Sequence, residues 1–362
     1  MSINIRELFP GAADGAYLNT ASMALGNSRA VIALERALDE WSHGRFVWAE
    51  AEVVGEEVRS LVASLLRTDV ENIAQVAGAS AGAATVAAQL PRASDPHANI
   101  VVPARDYASN FLAWSLLAGR GYELRTVEDV DGELSTDAFA SVVDAHTAVV
   151  ATSLVQSFSG FRVDLDALKE VTRGAGSWLV LDASQALGAI DIDIEGVDAL
   201  FSCSHKWTLG MRGVAHLYVR PGMLDTFEPI TPGWKATAAP MPYYGPSLTL
   251  SRTASKLDAS TPWFNPLVDV EGLRIIGSVG IRDIEVHNMS LIDELESRGV
   301  TIPFKRSNRS SIVSFDVVDS DATIKAFEND NIIASARAGK VRVSMHLYNT
   351  VEDVDRLVAA IA

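Results

Sequence analysis

Leu200-Phe201-Ser202-Cys203-Ser204-His205-Lys206-Trp207 reads as a buried strand that runs out into small polar residues and a lysine. Twenty-four residues before that lysine, Leu179-Val180-Leu181-Asp182-Ala183-Ser184-Gln185 repeats the arrangement, with an apolar run ending in an acid. On both sides, short β-branched runs alternate with helical patterns. Strands are expected at Ile100 to Pro103, Tyr122 to Arg125, Thr147 to Val155, Ser177 to Leu181 and Val214 to Val219. Helices are expected at Ser109 to Gly119, from Ser135-Thr136-Asp137 onward, and at Leu165 to Arg173. This alternation predicts an α/β fold, a mostly parallel sheet covered by helices on both faces.

After about residue 255 the pattern changes. A long amphipathic stretch, Glu271 to Arg298, leads to a strand at Ser311 to Phe315, a helix near Asp321 to Glu328, a strand at Val341 to Val343 and a closing helix from Val351 to Ile361. The expected organisation is a large domain over residues 22–255 and a smaller α+β domain made of 1–21 and 256–362. Thr231 to Pro246, rich in Pro, Gly and Tyr, reads as a functional loop.

With 48% hydrophobic and 21% charged residues, the chain has material for a large core and no signature of disorder. Its net charge of −16 argues against nucleic acid or an anionic membrane as a partner. One cysteine, Cys203, excludes an intrachain disulfide and a cysteine-based zinc site. The seven histidines show no metal-ligand spacing. No signal-peptide pattern opens the chain, and no apolar run reaches the roughly 18–20 residues of a membrane span, so a soluble, cytoplasmic protein is expected.

Arginine outnumbers lysine 23 to 7, which makes the placement of Lys206 worth a reason. A lysine at the carboxyl end of a strand in an open α/β sheet stands where such folds put their ligands. Desolvated beside His205, its amine is suited to a Schiff base; a snorkelling lysine is the plain alternative. Asp182 at another strand end can hold a pyridine nitrogen protonated, though a turn or cap acid reads the same way. Small residues at Gly78-Ala79-Ser80-Ala81-Gly82, between a strand and an Ala-rich helix, offer free N–H groups and the Ser80 hydroxyl to a phosphate, or simply an N-cap. Arg337, in Ser335-Ala336-Arg337-Ala338-Gly339, is suited to a bidentate grip on a carboxylate.

Taken together and in order, these motifs resemble the aminotransferase class V group of fold type I pyridoxal-phosphate enzymes, over nearly the whole chain. The matching stretches are Ala16 to Ser22, Asp106-Tyr107-Ala108-Ser109-Asn110, Asp182 to Gln185, Ser204 to Trp207, and Arg337 through Tyr348-Asn349-Thr350 to Arg356. The resemblance implies the fold type I architecture: a large domain with a seven-stranded-type sheet, plus the smaller domain. It implies pyridoxal 5'-phosphate as cofactor, with Lys206 forming the Schiff base and moving protons and Asp182 on the pyridine nitrogen. Gln185 would lie on the ring-hydroxyl side, and Ala79, Ser80 and His205 at the phosphate. Gln156 would make a further ring contact, and Thr261 would reach the phosphate of a neighbouring subunit, which implies a homodimer with shared active sites. Arg337, with Ser22, would meet the substrate.

The departures also carry information. Cysteine desulfurases of this group have a mobile loop with a catalytic cysteine after the substrate-binding arginine, whereas here Arg337-Ala338-Gly339 passes straight to Lys340-Val341-Arg342. Cys203 stands where many relatives have serine, and Asp106 where they have glutamate. The ring-stacking position falls on Ala108, with Tyr107 adjacent as a substitute. The reading is an enzyme working on an amino acid through an external aldimine and quinonoid. The expected reaction is C–S β-elimination from a cysteine conjugate in a specialised biosynthetic pathway. Transamination or epimerisation is the alternative within the family, and a non-catalytic cofactor-binding protein the alternative outside it.

Overall fold

The computed structural model describes residues 5–238, 243–246, 248–260 and 262–361. In chain order the helices are α1 (Gly11–Asp14), α2 (Ser28–Ser42), α3 (Trp48–Leu66), α4 (Ala79–Ala88), α5 (Ala108–Ser115), α6 (Thr136–Ala140), α7 (Leu165–Ala175), α8 (Asn265–Val279), α9 (Ile281–Ser297), α10 (Ser320–Asn329) and α11 (Val351–Ile361). The strands are β1 (Ala16–Tyr17), β2 (Ile73–Val76), β3 (Asn99–Pro103), β4 (Glu123–Val127), β5 (Thr147–Ser153), β6 (Trp178–Asp182), β7 (Ala199–Cys203), β8 (Ala215–Val219), β9 (Ile312–Phe315), β10 (Ile332–Ile333), β11 (Ser335–Arg337) and β12 (Lys340–Ser344).

Seven strands form the large sheet in the order β2-β8-β7-β6-β5-β3-β4. Only β8 runs against its neighbours. Strands β2, β3, β7 and β8 are buried along their whole length, as a sheet covered on both faces requires. One apolar cluster lies on each side of the sheet. Local signals agree with the elements: Ser135 and Asp164 cap α6 and α7, their side chains accepting from Ala138 N–H and Ala167 N–H. Gly82 lets α4 approach β7, because a Cβ there would stand 2.7 Å from Phe201 Cβ. A Gly82→Ala change would therefore cost about 1–3 kcal/mol in overpacking.

The smaller body is a three-stranded antiparallel sheet, β11-β12-β9, with α9, α10 and α11 around its own apolar cluster. The start of the chain enters here: β1 pairs in parallel with β10, and Ser344 N–H donates to Leu18 C=O at 2.8 Å. The expected single amphipathic stretch from 271 to 298 is two helices. Gly280, at φ 92°, breaks it. Val270 and Leu273 of α8 pack in the large sheet's cluster and Leu291, Ile292 and Leu295 of α9 in the small sheet's, while Ile275, Ile276 and Ile284 of the two helices share a further cluster. Among the described residues no helix is long and apolar enough to cross a membrane.

Candidate active site

The carboxyl ends of the parallel strands, the amino end of α4 and the hairpin β11–β12 surround one cavity of about 330 Å³. Of the residues singled out in the sequence, Ser22, Ala79, Ser80, Tyr107, Asp182, Gln185, His205, Lys206 and Arg337 line it. Gln156 does not. Its side-chain amide donates to Ser153 C=O at 3.1 Å, because the extended run of β5 turns away just before it. Thr261 lies outside the described residues.

Lys206 follows β7 in a turn held on every side. Gly210 N–H and the Thr208 hydroxyl both donate to Ser204 C=O, at 2.9 and 2.7 Å. Leu209 takes up φ 60° to close the turn. Trp207 Nε1–H donates to Gln185 at 2.7 Å, and Gln185 in turn donates to Ala21 C=O at 3.0 Å. From α8, the Asp269 carboxylate accepts from Met211 N–H at 2.8 Å, and burial pushes Asp269 up to about 7. The lysine itself is 9% exposed, and its Nζ lies 5.4 Å from the centroid of the Tyr107 ring. Tyr107, and not Ala108, faces this cavity.

Asp182 ends β6, where one carboxylate oxygen accepts from Ser184 N–H at 2.8 Å. Burial raises its pKa, and Ser184 and the Lys206 charge oppose the rise. Asp106, the loop acid, is pushed up to about 6 by burial and by the charge of Asp182, against hydrogen bonds from Ser153 and Asn110. It ties the Tyr107 loop to the end of β5, since Ser153 donates to it from both hydroxyl and backbone and Asn110 from its amide.

Helix α4 opens on the cavity with no side chain capping it, and Ala77 to Ser80 line the wall there. His205 stands in the same wall with its Nδ1 buried and without a partner among the described residues. Burial, then the charges of Lys206 and Arg212, lower its pKa to about 4, so it is neutral at pH 7. These are the parts a phosphorylated pyridine aldehyde needs: an amine, a buried acid for the ring nitrogen, and open N–H groups for a dianion.

The hairpin supplies a residue that the sequence reading did not single out. Arg342, on the central strand β12, is 2% exposed. It donates to Ser157 C=O at 2.8 Å, to the Ser22 hydroxyl at 2.8 Å and to the Ser335 hydroxyl at 3.2 Å. Burial, then the charge of Arg337, lowers its pKa to about 10. All its partners are neutral, so a guanidinium in the cavity wall has no counter-ion among the described residues. Arg337 is exposed, donating to Ala336 C=O at 2.7 Å and reaching the Ser22 hydroxyl at 3.4 Å.

Comparison with known proteins supplies the context. A family model described as Aminotransferase class-V matches residues 45–357. An uncharacterized aminotransferase of Bacillus subtilis (strain 168) is 24% identical, over 99% of this chain and 96% of its own. Among solved structures, an apo cysteine desulfurase from Thermococcus onnurineus NA1 superposes with a TM-score of 0.84 at 21% identity, covering 99% of this chain and 96% of that one. The cystine C–S lyase C-DES, in complex with its product cysteine persulfide, superposes with a TM-score of 0.83 at 19% identity over 98% of both chains. At such identities the structural likeness is one of fold.

Proposed function

The chain belongs to the aminotransferase class-V family of pyridoxal-phosphate enzymes, and from that premise we propose that it is a C–S β-lyase acting on a cysteine conjugate. The observation that carries the lyase reading is the hairpin. Strands β11 and β12 are joined directly through Ala338 and Gly339, which leaves no cysteine-bearing loop beside the cavity. The chain's one cysteine, Cys203, is buried in β7, where burial raises its thiol pKa. Cys203 lines the cavity, but it is fixed at the end of β7 and burial keeps its thiol protonated, which supports a sulfur that leaves with the product over one carried on the protein.

Bound in the cavity, pyridoxal phosphate supplies a sink for the electron pair left at a substrate's Cα. The protein's own groups do the rest. Asp182 would hold a proton at the ring nitrogen, Tyr107 would contact the ring, and Ser80, His205 and the open end of α4 would hold the phosphate. Lys206 takes the proton from Cα while the bond from Cβ to sulfur breaks and the thiolate leaves. Arg342, instead of the expected Arg337, grips the α-carboxylate, because its uncompensated charge is buried in the wall and its orientation is set by Ser157, Ser22 and Ser335.

A homodimer is part of the proposal. Exposed Trp41, Trp48, Tyr243 and Trp263 gather on one face, with Trp48 stacked on Trp263 at 5.7 Å, and a patch of that kind suits a subunit interface.

Incubation of the holoenzyme with S-substituted cysteines, following pyruvate, ammonia and free thiol, tests the reading. Equal release of all three is expected. A keto acid that retains its sulfur would make the enzyme an aminotransferase, and the D-isomer alone an epimerase. Lys206→Ala should abolish every product and any borohydride-reducible cofactor adduct.

A further inference from the structure

One α-carboxylate needs one guanidinium fork, and this cavity has two. Arg342 Nη2 lies 2.8 Å and Arg337 Nη2 3.4 Å from the same Ser22 hydroxyl, so the two cations are separated by little more than one oxygen. Neither pairs with an acid among the described residues, and none of the remaining residues is Asp or Glu. Two like charges so close repel, and a single carboxylate leaves one of them uncompensated.

Arg337 also lines a second cavity, of about 160 Å³, whose wall does not include Lys206. Arg105 and Lys340 stand in its wall, with Asp131 as its one acid. Those two cations are already engaged, Arg105 with Asp129 at 3.2 Å and Lys340 with Asp316 at 3.0 Å. Phe158, beneath Arg105 at 4.2 Å, and Phe304 give the cavity apolar sides. Arg337 is the one residue that the two cavities share, and in the second it is the one cation without an acid at salt-bridge distance among the described residues.

We propose that Arg337 and this second cavity form a subsite for an anionic side-chain tail, so that the substrate is an amino acid with a second carboxylate a few methylenes beyond Cβ. Resting on the lyase reading, the substrate is a cysteine thioether whose sulfur carries an acidic substituent. The methylenes lie along Phe158 and Phe304, and the distal carboxylate meets the Arg337 fork while Arg342 holds the α-carboxylate.

The test compares S-(2-carboxyethyl)-L-cysteine with its neutral isostere S-(2-carbamoylethyl)-L-cysteine, by pyruvate release from the holoenzyme. The acid should be favoured about 10- to 100-fold in kcat/KM, the worth of a charge-assisted contact. In Arg337→Gln that ratio should fall to near one, whereas Arg342→Gln should lower both substrates alike. A wild-type ratio near one, or a ratio that Arg337→Gln leaves standing, overturns the subsite. Binding of L-2-aminoadipate against L-norleucine, read from the cofactor's visible absorption, applies the same ratio test without any elimination step. Preference for aminoadipate that depends on Arg337, with no pyruvate from either thioether, would keep the subsite and discard the lyase; no preference would discard the subsite whatever the reaction.

Discussion

Where α3 meets the outer edge of the large sheet, Arg59 is 3% exposed and bound to Asp258 at 2.6 and 3.1 Å and to Glu56 at 2.9 and 3.0 Å. Where β12 reaches the cavity, Arg342 is 2% exposed and bound only to hydroxyls and a carbonyl. Burial alone pulls both guanidiniums down. At Arg59 the carboxylates of Asp258 and Glu56 reverse the effect, and the net shift is upward. At Arg342 nothing reverses it, and the charge of Arg337 adds to it. The difference teaches how to tell a structural cation from a binding one. The first has its anion supplied by the fold, and the second is desolvated ahead of an anion that arrives with the ligand.

The comparison can be broken most directly at Arg59. Arg59→Met leaves Asp258 charged and unpaired in the interior, which should cost about 3–5 kcal/mol of stability. Urea unfolding measures this, and a loss under about 1 kcal/mol would mean that the pair is not structural. The same region should show in acid. Burial, then the charge of Arg59, lowers His216 from 6.5 to about 4. With the folded pKa below the unfolded one, the contribution is whole above 6.5 and is lost as pH falls toward about 4, on the order of 3 kcal/mol in all. His346, likewise at about 4, adds a slope of the same sign. The difference between wild type and His216→Gln at pH 7 and pH 5 isolates the first share, and identical pH slopes in the two proteins would remove it.

Arg342→Gln should behave the opposite way from Arg59→Met. We expect kcat/KM for an amino-acid substrate to fall about 100-fold, mostly through KM, since truncating one side of a buried charge pair costs 2 kcal/mol or more. Stability should stay level or rise, because a desolvated charge has been removed. A large drop in unfolding free energy with KM intact would reverse the roles assigned to the two arginines. The smallest effect is expected from Arg59→Met combined with Asp258→Leu. With both charges gone, the hydrogen bonds to Ile73 C=O and from Gln75 N–H are lost along with the contacts to the exposed Glu56, which water can replace, so the double variant should sit within about 2 kcal/mol of wild type. If it is as unstable as Arg59→Met alone, the cost lay in packing and not in charge.

Much of the cofactor side was legible because its chemistry sits on consecutive residues. Asp182 and Lys206 each end a strand that the apolar pattern announces, so knowing the strand places the side chain at the sheet's carboxyl edge. The substrate side was less legible. In Lys340-Val341-Arg342-Val343-Ser344 the alternation looks like a strand with one wet face. In the structure Arg342 and Ser344 are as buried as Val341 and Val343, because β12 is central in its sheet and Leu18, Ser22 and Ser157 cover the other face. The break at Gly280 was missed because apolar residues at helical spacing continue through it, Ile275 and Ile276 before it and Ile284 after it sharing one cluster.

What this sequence determined by itself is whatever one segment can specify: the alternation of strand and helix, the strand ends that carry Asp182 and Lys206, and the small residues at the start of α4. Only the tertiary structure decided which arginine is desolvated, whether Gln156 or Tyr107 faces the cavity, and that α4 starts without a side-chain cap. The physical reason is that burial and counter-charge are sums over segments far apart in the chain. Ser22, Ser157 and Ser335 reach Arg342 from three separate stretches, and no local pattern records that all three arrive without an acid.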